Sequence, residues 1–326
     1  MTISDDVRAT AERYRTFATV EVRGRAPLYE ELCLGVADDA DILALLVTLP
    51  AQKRQPNLLL GSVRYLYGTA SGYRSFRSLI LGDWEAVSTV MLAHRTQTNE
   101  VARCATLLPL LARLPPPLAL LEVGCSAGLC LLLDRYRYDY GGVGGPIGPP
   151  DSPVLLRCEA RGATPVPLTI PTVAWRAGID LEPLDVGDRQ AARWLEALVW
   201  PGEGDRLARL DAAVTVARRR PPPLTRADLT AGLGAAAGGA PEAATLVVFH
   251  SATLAYVAAE GRERFVDDVR RLGATWVANE PIGVVASAAA ALRPGEADHH
   301  EGDFLLSCDG EPVAWTDHHG AWVEWR

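Results

Sequence analysis

The residues best suited to chemistry lie where apolar runs stop. Leu118-Ala-Leu-Leu-Glu122-Val-Gly124 is followed by Cys125, Ser126, Ala127 and Gly128. An apolar run that ends in a carboxylate and a string of small residues predicts a buried parallel strand and a tight turn. Glycine at such a turn permits φ > 0 and lets a ligand approach the backbone closely. A helix opening at Gly128 would aim its unpaired N–H groups at that ligand. A carboxylate at Glu122 is costly without a partner to meet it, so Glu122, Gly124, Cys125, Ser126 and Gly128 are candidate binding residues. The plain alternative is a buried strand and turn whose small residues serve packing alone.

A second apolar run, Thr245 to Val248, continues through Phe249 into His250 and Ser251. Ligands of open parallel sheets bind outside the carboxyl ends of the strands, which places His250 and Ser251 near a reacting group. A histidine there could act as a general base near neutral pH, and Tyr256 could line the same cleft. Ala274 to Glu280 predicts another strand, ending in Asn279 and Glu280. Upstream, Arg95-Thr-Gln97-Thr-Asn99-Glu100 is a polar run inside a predicted helix, and Gln97, Asn99 and Glu280 are candidates to orient a substrate. The histidines at 299, 300, 318 and 319 sit beside Asp298, Glu301 and Asp317. Adjacent His-His pairs do not converge easily on one ion, so these are read as polar loops and no metal is predicted.

Composition narrows the function classes. The chain has 326 residues, 48% of them hydrophobic and 22% charged, which describes an ordinary globular protein. A net charge of −8 argues against a nucleic-acid footprint. No apolar run reaches the roughly 18 residues of a membrane span. The acidic, polar start lacks a signal-peptide pattern, and six cysteines show no C-x-x-C spacing. Free thiols in a cytoplasmic protein are the expectation. Lys53 is the only lysine, which disfavours Schiff-base chemistry and removes the P-loop option. The dinucleotide fingerprint fails too, because Leu129 stands where its third glycine belongs.

The elements that must position these groups fall into two parts. Residues 1–114 read as a helical cap or recognition lobe, with helices over 5–20, 28–35 and 39–49, a loop-prone Gly61–Gly72 and a long helix from Trp84 to Leu114. Pro115-Pro-Pro117 separates that lobe from residues 115–326. There a leucine-rich helix follows the first strand, and an inserted hairpin covers about 140–172. Val173 to Asp180 is the second strand, and a third ends at Asp228, which reads equally as a helix N-cap. Asp303–Cys308, Pro312–Thr316 and Ala321–Trp325 form an antiparallel meander. The fold class is α/β.

The pattern Glu122-Val-Gly-Cys-Ser-Ala-Gly128 resembles the E/D-x-G-x-G-x-G first motif of class I S-adenosylmethionine-dependent methyltransferases, with Ser126 in place of the middle glycine. Together with Asp134-Arg-Tyr-Arg-Tyr-Asp139-Tyr-Gly, Gln97-Thr-Asn-Glu100 and Val248-Phe-His-Ser251-Ala, it resembles an uncharacterised bacterial family of methyltransferase-like proteins. The resemblance implies a Rossmann-like fold, a mostly parallel sheet with an antiparallel C-terminal edge. It implies that Glu122 faces the methionine amino end of S-adenosylmethionine and that residues 124–128 wrap its ribose. Asp180 is the preferred ribose acid, with Glu159 and Asp139 as alternatives and Tyr138 as a further cleft-lining group. Asp228 would meet the adenine amino group, with Leu229 against the ring. The function implied is methyl transfer to a small-molecule acceptor. A cyclisation or elimination of the same cofactor, or nucleoside binding without catalysis, are the alternatives.

Overall fold

The computed structural model describes residues 3–142 and 145–326, so positions 143–144 of the expected insertion lie outside the described residues. In chain order come α1 (Ile3–Thr16), α2 (Pro27–Asp38), α3 (Ala40–Leu46), α4 (Pro56–Tyr67), α5 (Tyr73–Gly82), α6 (Trp84–Ala93) and α7 (Arg103–Leu111). Then follow β1 (Leu118–Val123), β2 (Arg137–Asp139), β3 (Leu155–Arg157), β4 (Glu159–Arg161), β5 (Val173–Asp180), α8 (Arg189–Leu198) and α9 (Gly204–Arg219). The chain closes with β6 (Leu224–Arg226), α10 (Leu229–Ala237), β7 (Thr245–Ser251), α11 (Ala259–Arg271), β8 (Thr275–Pro281), α12 (Ala286–Ala290), β9 (Phe304–Cys308), β10 (Glu311–Thr316) and β11 (Trp322–Trp325).

Two compact units result. The first comprises Met1–Thr98 and Asp188–Ala208, and the second Asn99–Gly187 and Arg209–Arg326. The sequence division at 114 therefore differs from this one by α7, which belongs to the second unit, and by α8, which belongs to the first. Among its described residues the first unit is helical. Gly61, expected in a loop, lies inside α4 because α8 presses on it there. A Cβ at Gly61 would stand 2.9 Å from Leu198 Cδ2 and 3.4 Å from Trp194. Trp194 also explains why the expected long helix stops at Ala93. Its ring stacks on His94 at 4.4 Å, and its indole N–H donates to the Arg95 carbonyl at 3.0 Å. That carbonyl is turned away from helical pairing, so Arg95–Glu100 is an extended connection, a correction to the predicted helix. Gln97 is a half-buried residue of this connection, within the first unit.

The second unit is α/β, built on a nine-stranded, mostly parallel mixed sheet in the order β4-β11-β10-β9-β8-β7-β1-β5-β6. Strand β1 is buried at all six positions, because it pairs in parallel with β5 on one side and β7 on the other. An unbroken apolar run is what such a strand requires. Strands β6 and β8 extend the parallel part, and β9, β10 and β11 are antiparallel. The meander is not the sheet edge, because β4 pairs in parallel outside β11. The insertion is likewise no hairpin, since β3 pairs with β2 in parallel in a separate two-stranded sheet.

The leucine-rich segment after β1 also departs from expectation. Leu129–Arg135 forms tight 3₁₀ turns broken at Leu132, not an α-helix. Side chains capture its carbonyls. Tyr136 Oη donates to Leu129 O at 2.7 Å, Tyr138 Oη to Leu133 O at 2.6 Å and Arg176 to Leu131 O at 2.8 Å. Leu129, Leu131, Leu132 and Leu133 are all buried, so no solvent face favours a regular amphipathic helix. Among the described residues, no helix is long and apolar enough to cross a membrane.

Candidate functional site

The second unit has a topological switch point at β1. Successive parallel strands continue on opposite sides of it, and ligands of such sheets bind at the carboxyl edge there. In register with Glu122 lie Gly178 of β5 and Phe249 of β7. Gly178 has a packing reason. A Cβ on it would come within 2.7 Å of the Cys125 sulfur, so its absence lets Cys125 turn inward, where it is buried. Burial pushes the Cys125 thiol far up.

The bend after β1 alternates through the left-handed region. Gly124, Ser126 and Gly128 have φ of 69°, 50° and 64°. For Ser126 this is a strained conformation that its surroundings must impose. Asp180 Oδ2 accepts the Ser126 N–H at 2.8 Å, while its Oδ1 accepts the Glu182 N–H at 2.8 Å. Asn99 completes the clamp as a planar amide. Its Nδ2 donates to Ser126 Oγ at 2.7 Å, and its Oδ1 accepts the Ala127 N–H at 3.3 Å. The remaining N–H groups go to Ile179 O, from Gly124 and Cys125, and to Cys125 O, from Gly128. The backbone donors of the bend are therefore held by the protein, and the segment that opens after Gly128 is a 3₁₀ turn in place of the expected α-helix.

Glu122 stands apart from this economy. The nearby Leu131 N–H, which donates to Gly128 O at 3.2 Å, gives it only a weak downward pull, and Oε2 is buried with no hydrogen-bond partner among the described residues. Burial, and then the neighbouring Cys130 and Asp180, push its carboxyl well above the usual range against a smaller pull from Arg103. Arg103 is itself buried, donating from Nε to His318 O at 2.8 Å and from Nη1 to Ser251 O at 3.3 Å. Glu100, also buried, faces Arg209 at 3.2 Å and accepts the Ala102 N–H.

The β7 end is structural in a way the sequence did not reveal. His250 is fully buried. Its Nε2 accepts the Trp276 indole N–H at 2.9 Å, which leaves the ring proton on Nδ1, 2.6 Å from Glu280 Oε1. Both nitrogens are thus occupied, which corrects the expectation of a general base facing the cleft. Glu280 Oε1 also accepts the N–H groups of Thr253 and Leu254 at 2.8 and 3.0 Å. Burial alone would raise the Glu280 carboxyl, yet His250 and these two amides hold it below its usual value. The pair fixes a turn in which Ala252 has φ of 55° and Thr253 lies against Gly124. A Cβ on Gly124 would be 2.4 Å from Thr253 Cγ2. Ser251 Oγ accepts from Asn279, whose Oδ1 accepts from Thr316 at 2.7 Å.

The other candidates scatter. Tyr256 is 88% exposed. Asp228 caps α10 by accepting the Thr230 N–H at 2.9 Å, the N-cap alternative, and Leu229 packs on the hydrophobic core. Asp139 caps its own turn at Gly141 on the small sheet, where Tyr138 is buried, and Glu159 pairs with Arg161 at the opposite edge from β6. Of the three acids weighed for the ribose, only Asp180 stands beside the β1 bend. His300 stacks on Trp315 and His318 faces Asp317, and no group of three metal-ligating side chains occurs among the described residues. Sequence reasoning missed Arg103 and Thr253. A lone arginine opening the apolar run Cys104–Leu111 was a usable signal for the first; the second had none.

A family model described as "Uncharacterized protein conserved in bacteria (DUF2332)" matches residues 11–325. No curated protein and no solved structure matches the chain.

Proposed function

The chain belongs to the DUF2332 family of proteins conserved in bacteria, and for it we propose that the second unit binds S-adenosylmethionine beside Glu122 and serves a methyltransferase-like enzyme acting on a small-molecule acceptor. The observation that carries this reading is the Glu122 carboxylate, buried at the switch point with Oε2 lacking a partner among the described residues. An ammonium group is the natural occupant, because it supplies the hydrogen bonds and the charge that burial withholds. Sheet order supports the reading too. Counted along the chain, the parallel strands of the main sheet run third, second, first, fourth, fifth across β6-β5-β1-β7-β8, the half-sheet order of Rossmann-like nucleotide folds. An antiparallel C-terminal part follows, as the resemblance to class I methyltransferases implies.

In this reading Glu122 grips the methionine amino end. Each Asp180 oxygen accepts one backbone N–H and keeps lone-pair capacity for ribose hydroxyls. The adenine end is not served by Asp228 or Leu229, whose side chains are committed to a cap and to the core. When bound, the cofactor supplies an electrophilic methyl carbon on its sulfonium. The protein's part is to hold the bend rigid through Asn99 and Asp180 and to exclude water. His250 and Glu280 act as positioning residues for the 252–254 turn.

The absence of a free nitrogen on His250 favours a second reading, in which the cofactor cyclises or eliminates without an acceptor to deprotonate. Incubation with S-adenosylmethionine alone, followed by mass spectrometry, separates the two. The binding proposal is tested by titration calorimetry with S-adenosylhomocysteine. Heat that is lost in Glu122→Ala supports it, and no heat with the intact protein ends it.

A further inference from the structure

Behind Glu122 lie two of the six cysteines, all of them free thiols. Cys104, in the first turn of α7, is fully buried and points at the segment that follows the β1 bend. Its sulfur is 3.7 Å from the carbonyl of Cys130, and the two thiols act on one another's charge. The Cys130 sulfur is 3.9 Å from Glu100 O. Cys130 is partly exposed, where Cys104 is sealed. It sits in the broken 3₁₀ segment, two residues before non-helical Leu132, so its backbone is not locked in a regular ladder.

We propose that Cys104 and Cys130 form a paired oxidation site, in which hydrogen peroxide closes the two thiols into a disulfide that ties α7 to the segment beneath the β1 bend. The Cys130 sulfur attacks the peroxide oxygen, breaking the O–O bond and giving a sulfenic acid and water. The Cys104 sulfur then attacks the sulfenic sulfur, the S–S bond forms as the S–O bond breaks, and a second water leaves. The peroxide takes the two electrons, both thiol protons end in water, and a dithiol reductant reverses the change.

The order of events follows from the surroundings. The neighbouring Cys104 thiol holds the Cys130 thiol below its usual value, with Arg103 adding to the pull against burial. Burial pushes Cys104 well up, so it is the resolving partner. The contrast within the chain is sharp. Burial pushes Cys158 up to about 12 and Cys308 up to about 11, and among the described residues no cysteine adds to either shift.

The test treats the full folded chain with hydrogen peroxide, blocks remaining thiols with iodoacetamide, and digests with trypsin without reduction. Cleavage after Arg103, Arg113 and Arg135 places Cys104 on the peptide 104–113 and Cys130 on the peptide 114–135. The expected result is a fall from six free thiols to four, with these peptides joined and fragmentation placing the bond at Cys130. Reversal by dithiothreitol should restore all six. Cys104→Ser should leave Cys130 as a sulfenic acid trapped by dimedone, and Cys130→Ser should leave Cys104 reduced. Far-ultraviolet dichroism checks that both variants fold. A bond to Cys125, a Cys130 that stays reduced, or a Cys130 that overoxidises without joining Cys104 would each overturn the proposal.

Discussion

Replacing Glu122 by glutamine separates what this side chain does for the fold from what it does for a ligand. In the folded chain burial raises the carboxyl well above its ordinary value of 4.5, so the folded state holds a proton that the unfolded chain releases. Its stabilising share is complete below pH 4.5 and is lost as pH climbs toward the raised value. The loss amounts to about 1.4 kcal/mol per pH unit within that window, or about 3 kcal/mol across two units. Glutamine keeps the size and shape of the side chain and never ionises. Urea unfolding of both proteins from pH 4 to 8 should therefore show similar stability at the acid end. The variant should become progressively more stable as pH rises. Any fixed packing offset cancels, since the slope of the difference carries the argument. The same substitution should abolish S-adenosylhomocysteine binding, a trade of stability against function that marks functional sites. A pH-independent difference would refute the reasoning, because Glu122 would then be charged in the fold and met by a partner.

Four other outcomes are expected. S-adenosylhomocysteine should bind with release of up to one proton, because its ammonium group ionises Glu122. Affinity then rises about tenfold per pH unit below the raised value, and calorimetric heats should differ between phosphate and Tris buffers. Asp180→Ala strands the Ser126 and Glu182 N–H groups and should cost about 1–3 kcal/mol for the buried donor, read by urea unfolding, with weaker ligand binding alongside. Gly124→Ala drives a methyl into Thr253 at φ of 69° and should cost about 3 kcal/mol or more. Thr253→Ala should return part of this and leave about 1–2 kcal/mol of left-handed strain. Glu280→Gln should destabilise the chain at neutral pH. Because the folded carboxyl lies below its ordinary value of 4.5, that deficit should close as pH falls through the folded value, in a urea series extended to more acid pH.

How much of this was legible in the sequence depended on whether the signal was local. The α/β class and the strands over 118–123, 173–180, 245–251 and 275–281 followed from apolar runs whose ends carry polar residues. The bend at Gly124 to Gly128 was visible because small residues cluster there. Failures came where tertiary partners override a local pattern. Arg95–Glu100 has helical composition, but Trp194, far along the chain, claims the Arg95 carbonyl. The leucine run loses its helix to three side chains that capture its carbonyls. Nothing near Glu159 signals that β4 crosses to pair with β11. His250 misled for the same reason, since only the register of β7 with β8 brings Trp276 and Glu280 onto its two nitrogens.

The two buried glutamates at strand ends show why residue type and position alone could not assign roles. Glu122 and Glu280 both end apolar strands and both have one oxygen without a partner among the described residues. Their other oxygens differ in kind. Glu280 Oε1 collects His250 and two backbone amides, enough to keep the carboxyl ionised in spite of burial. Glu122 has only a weak pull from the Leu131 amide beside a thiol and a second carboxylate, and its carboxyl is driven the opposite way. Environments that push paired acids apart mark a division of labour. Glu280 spends its charge inside the protein, fixing the turn that lays Thr253 against Gly124. Glu122 keeps its charge in reserve, and a cation arriving at the switch point is the event that would release it. The pH slopes of Glu122→Gln and Glu280→Gln must have opposite consequences for stability, and slopes of the same sign would remove the basis for treating Glu122 as a ligand group and Glu280 as a structural one.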